Sequence, residues 1–147
     1  QSTPHELREK QGDGLVTNQA NVILAVLTAD CLPILLIDKK KKAVAAVHAG
    51  RKGTMLSIVE KAIDRMGTLF GTVPKNIIAG FGPGINKCCY EVDILENNMQ
   101  QLMAKGVSKK NIFSLDQCTS CRNDLFFSHR ADKGKTGRMI GFVMIKN

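Results

Sequence analysis

Tryptophan is absent from this 147-residue chain and tyrosine occurs once, at Tyr90, beside six phenylalanines. Stacking platforms for unpaired bases are therefore sparse, which argues against a single-strand nucleic-acid binder. Histidine is also scarce: His5, His48 and His129 are the full set, too few for a cluster of several metal ions held by imidazoles within one chain. No apolar run approaches the roughly 18 residues that a membrane span requires, and no N-terminal targeting pattern is present. A cytoplasmic protein is the expectation. The five cysteines are odd in number and scattered, which does not suit a small disulfide scaffold and predicts mostly free thiols in a reducing compartment.

What the chain has in excess is positive charge, +8 formally with a pI near 9.4. Such a balance favours anionic ligands. Part of it lies in the run Lys39-Lys40-Lys41-Lys42, which reads as a solvated hairpin tip rather than a nucleic-acid patch. The length suits one domain with a substantial core.

Hydrophobic patterning predicts alternating β and α structure. Residues 21–29 (NVILAVLTA) and 33–38 (PILLID) read as buried strands, and 43–48 (AVAAVH) pairs with the second as a hairpin through the lysine loop. From Thr54 the period changes: Met55, Leu56, Val59, Ala62, Ile63, Met66 and Phe70 recur at steps of three and four, predicting an amphipathic helix capped by Thr54 and closed by Gly71. A strand at 76–81, a helix at 94–105, a short strand at 112–115 and strands at 125–128 and 139–146 complete the reading. The fold class is α/β, a mixed β-sheet with flanking helices.

Two blocks carry the chemistry. Thr28-Ala29-Asp30-Cys31-Leu32-Pro33 and, seventeen residues beyond Cys31, His48-Ala49-Gly50-Arg51-Lys52-Gly53 each close a strand and enter a turn. A soft thiolate and an imidazole so placed suit one transition metal with positions left open, although a core cysteine and a hydrogen-bonded histidine are the plainer reading of each alone. Asp30 is a candidate to orient His48 or to act as an acid or base. His129, next to Arg130, is a candidate substrate contact or a surface residue. The CxxC of Cys118 and Cys121 lacks a second pair at zinc-ligand spacing, and Cys88 and Cys89 are adjacent, so packing or reactive thiols are the preferred reading for all four.

In order, TADCLPILL, AAVHAG with a basic residue and Gly, FGPGINKCCYEV, CTSC with FFSHR, and TGRMIGFVMIK resemble the YfiH-type, laccase-domain family once called multicopper polyphenol oxidases. The CTSC and IGFVMIK endings are most similar to its animal, FAMIN-type members. The resemblance covers residues from about Gly12 to Lys146 and implies a single YfiH-like α/β domain over 1–147 that lacks the family's N-terminal part. It implies one metal, usually zinc with copper as the alternative, bound by a His, by Cys31 and by His48. The family's first ligand belongs to a Val-His-Gly block upstream of GDGLVT, for which His5 could substitute only with a shortened loop. The implied activity is phosphorolysis of adenosine, inosine, guanosine and methylthioadenosine, with hydrolytic deamination of adenosine. The partners are then purine nucleosides and inorganic phosphate, without nucleic acid, and a homodimer is compatible. Arg51, Lys52 and the glycine-bounded turn are the expected phosphate anchor. Two departures stand out: Arg51 replaces the family's aromatic residue after HAG, and the segment between CCYEV and the next helix is short. The alternatives are a shortened, non-catalytic homologue acting by binding or assembly, and a single-copper polyphenol oxidase.

Overall fold

The computed structural model describes residues 12–147. Its centre is the hairpin of β3 (Leu32–Asp38) and β4 (Ala43–Ala49), antiparallel in the register Leu32–Ala49 through Asp38–Ala43. The lysine run forms its tip as expected. Buried Asp38 shapes that turn, accepting the N–H groups of Lys40 (2.9 Å) and Lys41 (3.2 Å) through Oδ1. Strand β1 (Gly14–Thr17) adds antiparallel to β4, and β5 (Ile77–Phe81) adds antiparallel to β3. The chain then crosses over through helix α3 (Ile94–Ala104) to β6 (Ile112–Ser114), parallel to β5. The result is a mixed five-stranded sheet, β1-β4-β3-β5-β6.

Alternation along these strands produces two apolar faces. Ile34, Leu36, Ala45, Val47, Ile77 and Ala79 meet Val59, Ala62, Ile63 and Met66 of helix α2 (Ile58–Phe70) and Leu102 of α3. The opposite face presents Val44 and Ala46 to Leu24 and Val143, which belong to a separate two-stranded ribbon of β2 (Ile23–Thr28) and β7 (Met139–Met144). Small alanines in β4 let both layers approach closely. Leu36 is fully buried, so Leu36→Ala is expected to cost about 2–5 kcal/mol through lost transfer energy and a residual cavity. Equilibrium denaturation in urea checks this.

Three expectations are corrected. The 21–29 segment is a ribbon strand covered on one side: Leu24 and Val26 are buried, whereas Ile23 and Leu27 are about three-fifths exposed, like Ile140 and Phe142 beside them. Its apolar run conceals a period of two. The helix expected from Thr54 is two helices, a short α1 (Arg51–Met55) and α2, separated by Ser57 in the left-handed region at φ 55°. Thr54 does not cap; it is buried, and its Oγ1 accepts from Asn98 Nδ2 of α3 at 2.9 Å. A continuous helix would rotate Thr54 about 140° away from Val59, and the left-handed residue resets that phase. Met55 and Leu56 consequently face solvent. The strand expected at 125–128 is instead part of a run of turns, with Phe126 N–H bonded to Arg122 O. Gly71 closes α2 in the left-handed conformation as expected, and Asp93 caps α3 through the Glu96 N–H.

Candidate functional site

Cys31 ends the β2–β3 connection and His48 lies one residue from the end of β4, opposite Pro33 in the register. The hairpin therefore brings the two side chains together. Contact with Cys31 raises the His48 imidazole above its ordinary value near 6.5, against burial, and Asp13 adds to the effect. The carboxylate on His48 is that of Asp13, whose Oδ1 lies 3.3 Å from Nδ1. A carboxylate behind an imidazole fixes its tautomer and orientation, an arrangement that metal-ligating histidines use. Gly50 completes the corner: a Cβ there would lie 2.9 Å from Cys31 Sγ, so the thiol fills space that only glycine leaves.

Asp30 makes its hydrogen bonds away from His48, whose carboxylate partner is Asp13. The Asp30 Oδ1 accepts from Thr119 Oγ1 and its Oδ2 from the Arg130 N–H, each at 2.7 Å, while its carbonyl accepts from Ile85 N–H at 2.7 Å. It stands at φ 90° and is buried. With both carboxylate oxygens engaged, Asp30 ties three segments of the wall together.

These groups border an open cavity of about 400 Å³, lined among others by Asp30, Cys31, His48, Arg51, Tyr90, His129, Arg130 and Arg138, with Leu27, Ile85 and Ile94 as its apolar portion. Lys52, expected beside Arg51 as an anion anchor, is exposed and outside that lining. Sequence reasoning passed over Arg130 and Arg138, which lie inside it. Arg51 and Arg130 share one carboxylate, Glu91, at 3.2 and 3.8 Å. Arg130 also lies over the Tyr90 ring, 5.4 Å from its centroid, and donates through Nε to Cys89 O at 3.1 Å. Arg138 donates to Gly137 O at 2.9 Å and has no carboxylate partner among the described residues. Three guanidinium groups against the carboxylates of Glu91 and Asp30 leave the mouth with a positive excess that favours anions.

The donor set fits part of the implied metal site. Cys31 and His48 suit zinc or copper, but no third His, Cys, Asp or Glu joins them among the described residues. His5, the substitute ligand read from the sequence, lies outside the described residues.

The other four cysteines are not scattered. Cys88, Cys89, Cys118 and Cys121, read from spacing as packing or reactive thiols, converge with all Sγ atoms within 4.8 Å of one another. All five cysteines are free. Burial pushes the Cys118 thiol up, but the N–H groups of Asn86, Cys121 and Ser120 and the Cys88 thiol outweigh it and bring it down to about 7. Cys121, crowded by Cys89, Cys88 and Cys118, is pushed up to about 12.

Residues 2–95 and 92–146 match the family model described as multi-copper polyphenol oxidoreductase laccase. The chain belongs to that family. It is 35% identical over 161 aligned positions to purine nucleoside phosphorylase YlmD of Geobacillus stearothermophilus, covering 89% of this chain and 59% of that protein. It is 33% identical to the human purine nucleoside phosphorylase LACC1, covering 91% of this chain and 38% of that one. The crystal structure of YfiH from Bacillus licheniformis superposes with a TM-score of 0.88 at 35% identity, over 91% of this chain and 61% of that one. The chain thus spans about three-fifths or less of the length of these relatives. The two stretches of the family match meet at the start of α3, where the segment after CCYEV reads as short. Among the described residues no helix is long and apolar enough to cross a membrane.

Proposed function

We propose that the chain provides the catalytic cavity of a purine nucleoside phosphorylase that acts on adenosine, inosine, guanosine and methylthioadenosine, with zinc as its metal and deamination of adenosine as a second activity. The observation that carries this reading is the cavity itself, where a thiol–imidazole pair, an apolar wall and an excess of guanidinium groups surround one space. Phosphorolysis uses the guanidinium groups and the apolar wall, and the thiol–imidazole pair would hold the metal. A phosphate oxygen forms a bond to the anomeric carbon of ribose as the bond to purine N9 breaks, and the electron pair leaves with the base, which takes a proton. Arg138, without an acidic partner among the described residues, anchors the phosphate, and Arg51 and Arg130 add to the field while Glu91 holds them in place. Leu27, Ile85 and Ile94 exclude water from one side of the base, and His129 is the imidazole available on the wall to hold a proton near it. Cys31 and His48 would hold the metal, with Asp13 orienting His48. When bound, zinc lowers the pKa of a water and so supplies the nucleophile for deamination. A cytoplasmic setting, where thiols stay reduced, suits an odd number of cysteines.

The test is phosphate-dependent release of base and ribose 1-phosphate from inosine and adenosine by zinc-supplemented protein. Arg138→Ala is expected to raise the KM for phosphate about 10- to 100-fold, the loss of one or two charge-assisted hydrogen bonds, with a smaller change in nucleoside KM. A folded protein without phosphate-dependent turnover would favour the reading as a non-catalytic homologue.

A further inference from the structure

The Cys88-Cys89 dipeptide belongs to the loop after β5, and Cys118 and Cys121 belong to a turn some thirty residues later. Backbone contacts hold the two together: residue Gly84 bridges Cys118, and the Thr119 N–H donates to Gly84 O at 3.0 Å. Their sulfur atoms then surround one point. Cys121 Sγ lies 3.5 Å from Cys88 Sγ and 3.4 Å from Cys89 Sγ, and no pair among the four exceeds 4.8 Å. Four thiolates about 2.3 Å from a tetrahedral zinc are separated by roughly 3.8 Å, within this spread, whereas a disulfide requires about 2.05 Å. Four cysteines from two short loops also match the closed donor set of structural zinc sites.

We propose that Cys88, Cys89, Cys118 and Cys121 bind one zinc ion in a structural site separate from the Cys31–His48 pair. Binding exchanges thiol protons for the ion, leaving thiolates around it. The surroundings suit that charge. The Asn86 N–H already donates to Cys118 Sγ at 3.4 Å, a contact that stabilises a metal-bound sulfur, and the chain carries a formal excess of eight positive charges. Cys118 is buried while Cys88 and Cys121 are exposed, so an ion can enter from solvent and be held against the body of the fold.

The site would brace the cavity wall. Cys89 is followed by Tyr90 and Glu91, which engage Arg130, and Cys118 is followed by Thr119, whose hydroxyl donates to Asp30. A zinc ion at the four sulfurs ties the loop bearing Tyr90 to the turn bearing Thr119. Its role is to position these residues, since four protein ligands leave no open place for substrate.

The experiment measures metal content in the whole 147-residue chain on a Cys31→Ala/His48→Ala background, which removes the cavity pair. That background is expected to retain one zinc per chain by mass spectrometry, and its cobalt-substituted form to show sulfur-to-metal charge-transfer absorption. Adding Cys121→Ser, at an exposed position, is expected to weaken zinc retention against a competing chelator more than about 100-fold, because a direct ligand matters more than an orienting one, while far-ultraviolet circular dichroism is kept. If the cavity metal is absent but this site is real, wild type and background carry the same single zinc. A background protein without zinc whose four thiols titrate freely, or one with a disulfide between Cys121 and Cys88 or Cys89 in peptide mass spectra, overturns the proposal.

Discussion

Asp30→Ala is expected to cost about 3–5 kcal/mol of folding stability and to remove turnover. The carboxylate is buried and accepts two short hydrogen bonds, from the Thr119 hydroxyl and the Arg130 N–H. Alanine leaves both donors without an acceptor, and donors to a charged group cost more to strand than neutral ones. It also occupies φ 90° less readily than aspartate or asparagine does. Asp30→Asn separates charge from geometry. Its amide oxygen accepts from Arg130 N–H and its NH₂ donates to Thr119 Oγ1, because a hydroxyl reverses its role freely. The expected cost is then about 1 kcal/mol, with turnover reduced and measurable. Urea denaturation of both variants, with phosphorolysis assays on each, checks the ranking. Asparagine behaving like alanine would show that the charge itself is needed, as an acid–base role requires.

The sequence makes the central hairpin legible because its signals are local. Two apolar runs flank four lysines, and period-two pairing then brings the ends, Cys31 and His48, to one edge. Other features depend on contacts between distant segments. Asp13 reaches His48 only because β1 pairs with β4, and a four-residue strand starting at a glycine gives little patterning. The four-cysteine cluster is invisible to spacing rules, since a loop-to-loop bridge at Gly84 and Cys118 assembles it. Arg130 and Arg138 look like surface charge in sequence; their position on the cavity wall comes from the turns around Arg130 and the irregular stretch before β7, which carry no period. The broken helix failed for another reason. Met55 and Leu56 fit the helical period yet face solvent, because Thr54 is held inward by Asn98.

Gly50→Ala is expected to lower kcat/KM about 100-fold or more while changing stability by about 1 kcal/mol. The backbone at Gly50 has φ −90° and ψ −171°, a conformation open to alanine, so strain is not the source of the effect. The added methyl would sit 2.9 Å from Cys31 Sγ, closer than carbon and sulfur tolerate. Cys31 follows Asp30, whose backbone and side chain are fixed by three hydrogen bonds, and it precedes a strand paired on both sides. The thiol must therefore rotate rather than the chain shift, and it leaves His48. A displacement of about 1 Å in a reacting constellation costs on the order of 100-fold. Cys31→Ala removes the same sulfur outright and is expected to match or exceed that loss. Comparing the two by steady-state kinetics and zinc content tests the placement of the thiol apart from the fold: Gly50→Ala within threefold of wild type would take Cys31 out of the catalytic machinery.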